Sequence, residues 1–130
     1  MRHARRRDTI HESASLFFRG LLHRFFSSPA KRLIIVNDSF SLQNQRFSVA
    51  HEIGHIVLTH GSADLLQEGL NIEWGNLQEI YANMFATELL MPYDALSASS
   101  RMTPEGIADA CNVPLWAAYK RHREMGWESP

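Results

Sequence analysis

The chain has a single cysteine, Cys111, so it cannot close a disulfide within itself, and a stapled extracellular scaffold is excluded. That usage fits a reducing compartment, and a cytoplasmic location is expected. Long hydrophobic runs are missing too. The most apolar stretch near the start, "LFFRGLLHRFF", is broken by Arg19, His23 and Arg24, too short and too charged to span a bilayer, so no membrane role is expected. The basic opening "MRHARRR" is followed by "DTIHES" rather than an apolar run, which does not read as a secretory leader. Nor is there a large net charge: the formal value is -1 at pH 7, which excludes a protein that binds polyanions through overall charge. Arg2, Arg5, Arg6 and Arg7 nevertheless crowd one end, and residues 1–14 are read as a solvated basic arm. There is no internal repeat and no low-complexity tract.

What is present suffices for one globular domain: 130 residues, 45% hydrophobic and 21% charged. Two apolar runs, "SLFFRGLLHRFF" and "RLIIVN", flank the turn-like "SSPAK" and read as a β-hairpin. "NDSFS" supplies turn and N-cap residues. From about Leu42 to Thr59, Phe47, Ala50, Ile53, Gly54, Val57 and Leu58 recur at three and four, the mark of a helix with one buried face, which Gly61 is expected to close. "SADLLQEGLNIEWG" reads as a loop. A second helix, about Leu77 to Leu90, must end before Met91-Pro92 because proline cannot continue it. "SASSRMTPEG" reads as a linker, and Pro104 to Gly126 as two short helices broken at Asn112-Val113-Pro114.

The chemistry concentrates in "RFSVAHEIGHIVLTHG". Residues four apart on a helix share a face, so His51 and His55 can aim their imidazoles at one Zn²⁺. Glu52 lies about 100° around the helix, poorly placed to ligate but able to take a proton from the ion's water. Ordinary surface histidines are the bland alternative. It is weakened because the helix is largely apolar, and buried histidines need partners. A third protein ligand is required. The metzincin spacing fails, since Leu58 and Gly61 stand where it needs glycine and histidine. His60 faces away, in what the pattern makes the last turn. Glu68 and Glu73 fall in the loop, whereas Glu79 opens the second helix, with Asn83 one turn later, placed to hydrogen-bond a ligating histidine. Glu79 also fits a capping box with Asn76, and the two roles compete for one carboxylate. The small residues Ala82 and Ala86, with Gly54 opposite, allow the two helices to approach closely.

"RFSVAHEIGH" (46–55) and "EIYANMFATELLMP" (79–92), with "LIIVND" (33–38) upstream, resemble the ImmA/IrrE family of zinc-dependent metallopeptidases, which is gluzincin-like. The resemblance covers roughly residues 15–95. It implies His51, His55 and Glu79 as ligands of one Zn²⁺ and Glu52 as catalytic base. It also implies a cytoplasmic regulatory protease that cuts a DNA-binding repressor. Glu88, on the far side of the second helix, is assigned a structural polar contact. The expected fold class is therefore α+β: a small antiparallel β-sheet packed on the zinc helix and on a second, ligand-bearing helix. Residues 15–95 form the metallopeptidase core in this reading, and residues 96–130 a helical extension. Tyr81, Tyr93, His11 and His23 are all candidates for stabilising an oxyanion, and nothing in the pattern chooses between them.

Two other readings compete. "TPEGIADACNVPLWAAYKRHREMGW" resembles a helix–turn–helix, with Ile107, Ala108, Cys111, Val113 and Ala117 as its seam and Lys120, Arg121 and Arg123 reaching DNA phosphates, which makes the protein a non-proteolytic DNA- or protein-binding regulator. DNA contact is the less favoured expectation. Two short helices bury little alone, so packing on the core through Leu115, Trp116 and Trp127 is preferred. The other reading keeps the zinc without proteolysis, as a partner-binding module, and leaves Glu52 without a purpose.

Overall fold

A computed structural model of the chain describes residues 33–66 and 74–128. Five helices follow in order: α1 (Leu42–Leu66), α2 (Trp74–Leu90), α3 (Tyr93–Ala98), α4 (Pro104–Cys111) and α5 (Leu115–Glu124). Local chemistry accounts for their ends. Asn37 Oδ1 accepts from the Ser39 N–H at 3.0 Å, turning the chain, and Ser41 Oγ accepts from the Asn44 N–H at 3.2 Å as the N-cap of α1. Pro92 stops α2 and caps α3. Thr103 caps α4 by accepting from the Gly106 N–H at 3.1 Å, with Pro104 in its first turn. Asn112 takes the left-handed conformation (φ 51, ψ 55) that breaks α4 from α5.

The expected α+β fold is corrected here. Among the described residues there is no β-strand, and Leu33–Asn37 runs without regular structure. A strand exists only through a hydrogen-bonded neighbour, and none of the described residues pairs with this segment. Leu33 and Ile35 stand 84% and 86% exposed, so the segment does not form the core face of a sheet. The other expected arm, 15–26, lies outside the described residues, as do the basic arm, Glu68 and Glu73. Gly61 does not end α1, which continues to Leu66 with His60 and Gly61 inside it. A helical glycine costs only about 1 kcal/mol, too little to stop a long helix by itself.

The buried face of α1 is Phe47, Ala50, Gly54 and Val57. It packs on Ala82, Phe85 and Ala86 of α2, all 0–1% exposed. The approach is close because Gly54 has no Cβ: one added there lies 3.0 Å from Ala82 Cα and 3.1 Å from the Ala82 carbonyl oxygen. Ile107, Val113, Ala117 and Ala118 of the C-terminal pair join Phe47, Ala50, Ala86, Met91 and Leu96 in one core. The pair therefore packs against the first three helices, with Trp127 set against that core as expected. Leu115 and Trp116 remain 45% and 53% exposed, while the small seam residues go inward. Trp116 still reaches α1, donating to Asn44 Oδ1 at 3.1 Å and meeting Phe47 edge-on. Arg46 ties the same end by donating to the carbonyls of Asn112 (3.0 Å) and Cys111 (3.4 Å).

Candidate metal centre

The tight crossing at Gly54 and Ala82 sets two helix faces side by side, and the polar residues on those faces meet. His55 Nε2 lies 2.8 Å from Glu79 Oε1, His51 Nε2 lies 3.1 Å from Glu79 Oε2, and the two Nε2 atoms are 2.9 Å apart. Among the described residues His51, His55 and Glu79 form a group able to hold a metal ion, with ligand atoms all within 4.8 Å of one another. The two rings stand nearly perpendicular, with centroids 4.6 Å apart, so both nitrogens converge without stacking.

Asn83, one turn after Glu79, places its Oδ1 2.8 Å from His51 Nδ1. An amide oxygen only accepts, so Nδ1 carries a proton and Nε2 is the nitrogen turned towards Glu79. A nitrogen and a carboxylate oxygen at that distance call for a cation or a proton between them. The donor set also matches zinc in kind and spacing: bonds of about 2.0–2.1 Å in a tetrahedron place ligand atoms about 3.3 Å apart, a few tenths beyond the separations here. The residues fit the ion. The His51 and His55 side chains are 18% and 25% exposed and that of Glu79 is 60%, so the group opens to solvent on the Glu79 side, where a water and a substrate can enter.

Glu52 is exposed beside His51, and no hydrogen bond or ion pair to it is found among the described residues. The capping role weighed for Glu79 is not supported, because Asn76 lies inside the first turn of α2, which begins at Trp74. Both carboxylate oxygens of Glu79 go to the histidines instead. Neither candidate tyrosine joins the group: Tyr81 is about 200° around α2 from Glu79, and Tyr93 lies under the Arg121 guanidinium, 5.4 Å from it. His11 and His23 lie outside the described residues.

Glu88 makes the structural contact expected of it. Its partner, Arg121, has its role reversed. Rather than reaching outward for phosphate, Arg121 is 1% exposed; it donates to Glu88 Oε1 at 2.6 Å, to Glu124 Oε2 at 3.0 Å, and twice to the Met91 carbonyl at 3.0 and 2.8 Å. Pro92 is the readable signal, since a helix stopped by proline leaves its last carbonyls in need of a donor. Of the other two cations, Lys120 is exposed and Arg123 pairs with Glu128 at 3.1 Å. Burial pushes the Cys111 thiol up from its ordinary pKa, against the opposing pull of Arg121 and Arg46.

The family model described as the IrrE N-terminal-like domain matches residues 7–122. The radiation response metalloprotease IrrE of Deinococcus radiodurans is 34% identical over 87 residues, which cover 62% of this chain and 26% of that protein. The chain thus spans about a quarter of that relative's length. No solved structure matches. Among the described residues no helix is long and apolar enough to cross a membrane. With the HEIGH helix, the Glu79 helix and a family match running through nearly the whole sequence, the chain belongs to the ImmA/IrrE metallopeptidase family.

Proposed function

We infer that this protein is a zinc-dependent endopeptidase, with one ion held by His51, His55 and Glu79. The observation that carries the reading is the meeting of two imidazole Nε2 atoms and one carboxylate on facing helices, with His51 oriented by Asn83. When bound, the ion supplies Lewis acidity, polarising a scissile carbonyl and lowering the pKa of water towards ~7. Glu52 takes a proton from the attacking water as its oxygen bonds to the carbonyl carbon. As the C–N bond breaks, Glu52 hands that proton to the leaving amine. Asn83 keeps the His51 proton on Nδ1, so that Nε2 stays free to ligate. The exposed edge of Glu79 leaves the approach open to an extended peptide.

The substrate proposed is a DNA-binding transcriptional repressor in the cytoplasm. Supporting this are the family resemblance and a relative described as a metalloprotease of the radiation response. Two measurements test the reading. Metal analysis should find about one zinc per chain. Glu52→Gln should keep that zinc while peptide hydrolysis falls by about 10²–10⁴-fold. Full hydrolysis by Glu52→Gln would refute the mechanism. Intact repressor after incubation of a neighbouring helix–turn–helix protein with active enzyme would remove that substrate.

A further inference from the structure

A second feature lies away from the metal-binding group. The first turn of α1, the exposed side of α4 and the start of α5 enclose a groove of about 550 Å³. It is lined by Val113, Leu115 and Trp116 on the apolar side and by Glu105 and Asp109 on the polar side. Leu115, Trp116 and Tyr119 are 45%, 53% and 50% exposed on one face of α5, an apolar ridge of a kind that marks interaction surfaces. Trp116 is held in place by Asn44 and Phe47, so it is already ordered as an anchor. Tyr119 donates to Glu105 Oε1 at 3.3 Å, fixing that carboxylate against α5. Asp109 has no ion pair among the described residues. The cations nearby are engaged or set aside: Arg46 is bound to backbone carbonyls, Arg123 to Glu128, and Lys120 does not line the groove.

We propose that this groove docks an arginine-bearing apolar segment of a protein partner. An arginine there lays its aliphatic stem on Leu115, stacks its guanidinium on the Trp116 face, and pairs with Glu105 and Asp109. Neighbouring apolar residues of the segment cover Tyr119. The two carboxylates repel a phosphate backbone, which sets this surface against duplex DNA. None of His51, Glu52, His55 and Glu79 lines the groove, so docking is independent of the peptidase reading and persists in Glu52→Gln.

The test is two-dimensional NMR of the ¹⁵N-labelled full chain, read at the Trp116 indole N–H, which Trp116→Phe assigns. An end-blocked hexapeptide of alternating Leu and Arg should give a saturable shift. Affinity should fall about tenfold in Glu105→Gln/Asp109→Asn, and severalfold between about 50 and 500 mM salt. The Leu–Glu hexapeptide and a DNA duplex should leave the signal in place. The proposal is overturned by equal binding of the acidic peptide, by a DNA-induced shift of the same signal, or by unchanged affinity in the double variant. No shift at about 1 mM basic peptide also overturns it. Both substituted side chains are exposed; should the variant nonetheless unfold, salt dependence and the acidic peptide decide on the wild-type chain.

Discussion

Glu79 and Glu88 stand on one helix, about two and a half turns apart, and their surroundings give them opposite uses. The Glu79 side chain is 60% exposed and faces two imidazoles, side chains that can ligate an ion through a ring nitrogen. Nothing permanently cancels its charge, and the side open to water admits an ion and a substrate. The Glu88 side chain is 9% exposed and faces a guanidinium that is itself 1% exposed. Arg121 is always charged, spends its donors on Glu88, Glu124 and the Met91 carbonyl, and leaves no vacancy for a ligand. A carboxylate is left available to an ion where its partners are imidazoles and its flank is wet. It becomes a staple where its partner is a fixed cation and the flank is dry.

Substitution at the staple should matter most. Arg121→Met takes the guanidinium away from the buried Glu88 and should cost about 3–5 kcal/mol, read as a fall in the denaturant midpoint of chelator-treated protein. Arg121→Met with Glu88→Leu should regain much of that loss; if it is no more stable than the single variant, the cost of burying Glu88 without Arg121 is not the cause. Next comes the crossing itself. Gly54→Ala puts a methyl 3.0 Å from the Ala82 backbone, so the helices must part. A cost of about 1–3 kcal/mol is expected, with zinc affinity falling as Glu79 is carried away. Asn83→Ala sharpens the other pole: about 10–100-fold weaker zinc by competition with a chromogenic chelator. The smallest effect is Glu79→Gln in metal-free protein, within about 0.5 kcal/mol of wild type because the side chain is exposed, though stoichiometric zinc should be lost. A Glu79 variant that unfolds would show that this carboxylate too is a staple.

Much of the candidate site is legible in the sequence. The spacing of His51 and His55, the offset of Glu52 and the small residues Gly54, Ala82 and Ala86 are properties of single helices and of their touching faces. So is Asn83, one turn from Glu79. Less of the fold was legible. The "RLIIVN" pattern suits a strand, yet pairing is a property of two segments, and no described neighbour pairs with it. Arg121 reads as a residue reaching outward, towards phosphates, because a basic run at the end of a helix usually faces solvent. Its burial required Met91 and Glu88, some thirty residues away, to be brought against it.

The sequence alone determined what local chemistry settles: the Ser41 and Thr103 caps, the stop at Pro92, the left-handed break at Asn112, and two imidazoles on one face of α1. These depend on hydrogen bonds and sterics within a few residues, so the order of side chains suffices. Tertiary structure alone decided that Glu79 meets the histidines rather than its own helix start, that Glu88 meets Arg121, and that the C-terminal pair packs on α1–α3. Each of those contacts closes a long loop, and it forms only where the packing of several helices repays the lost chain entropy.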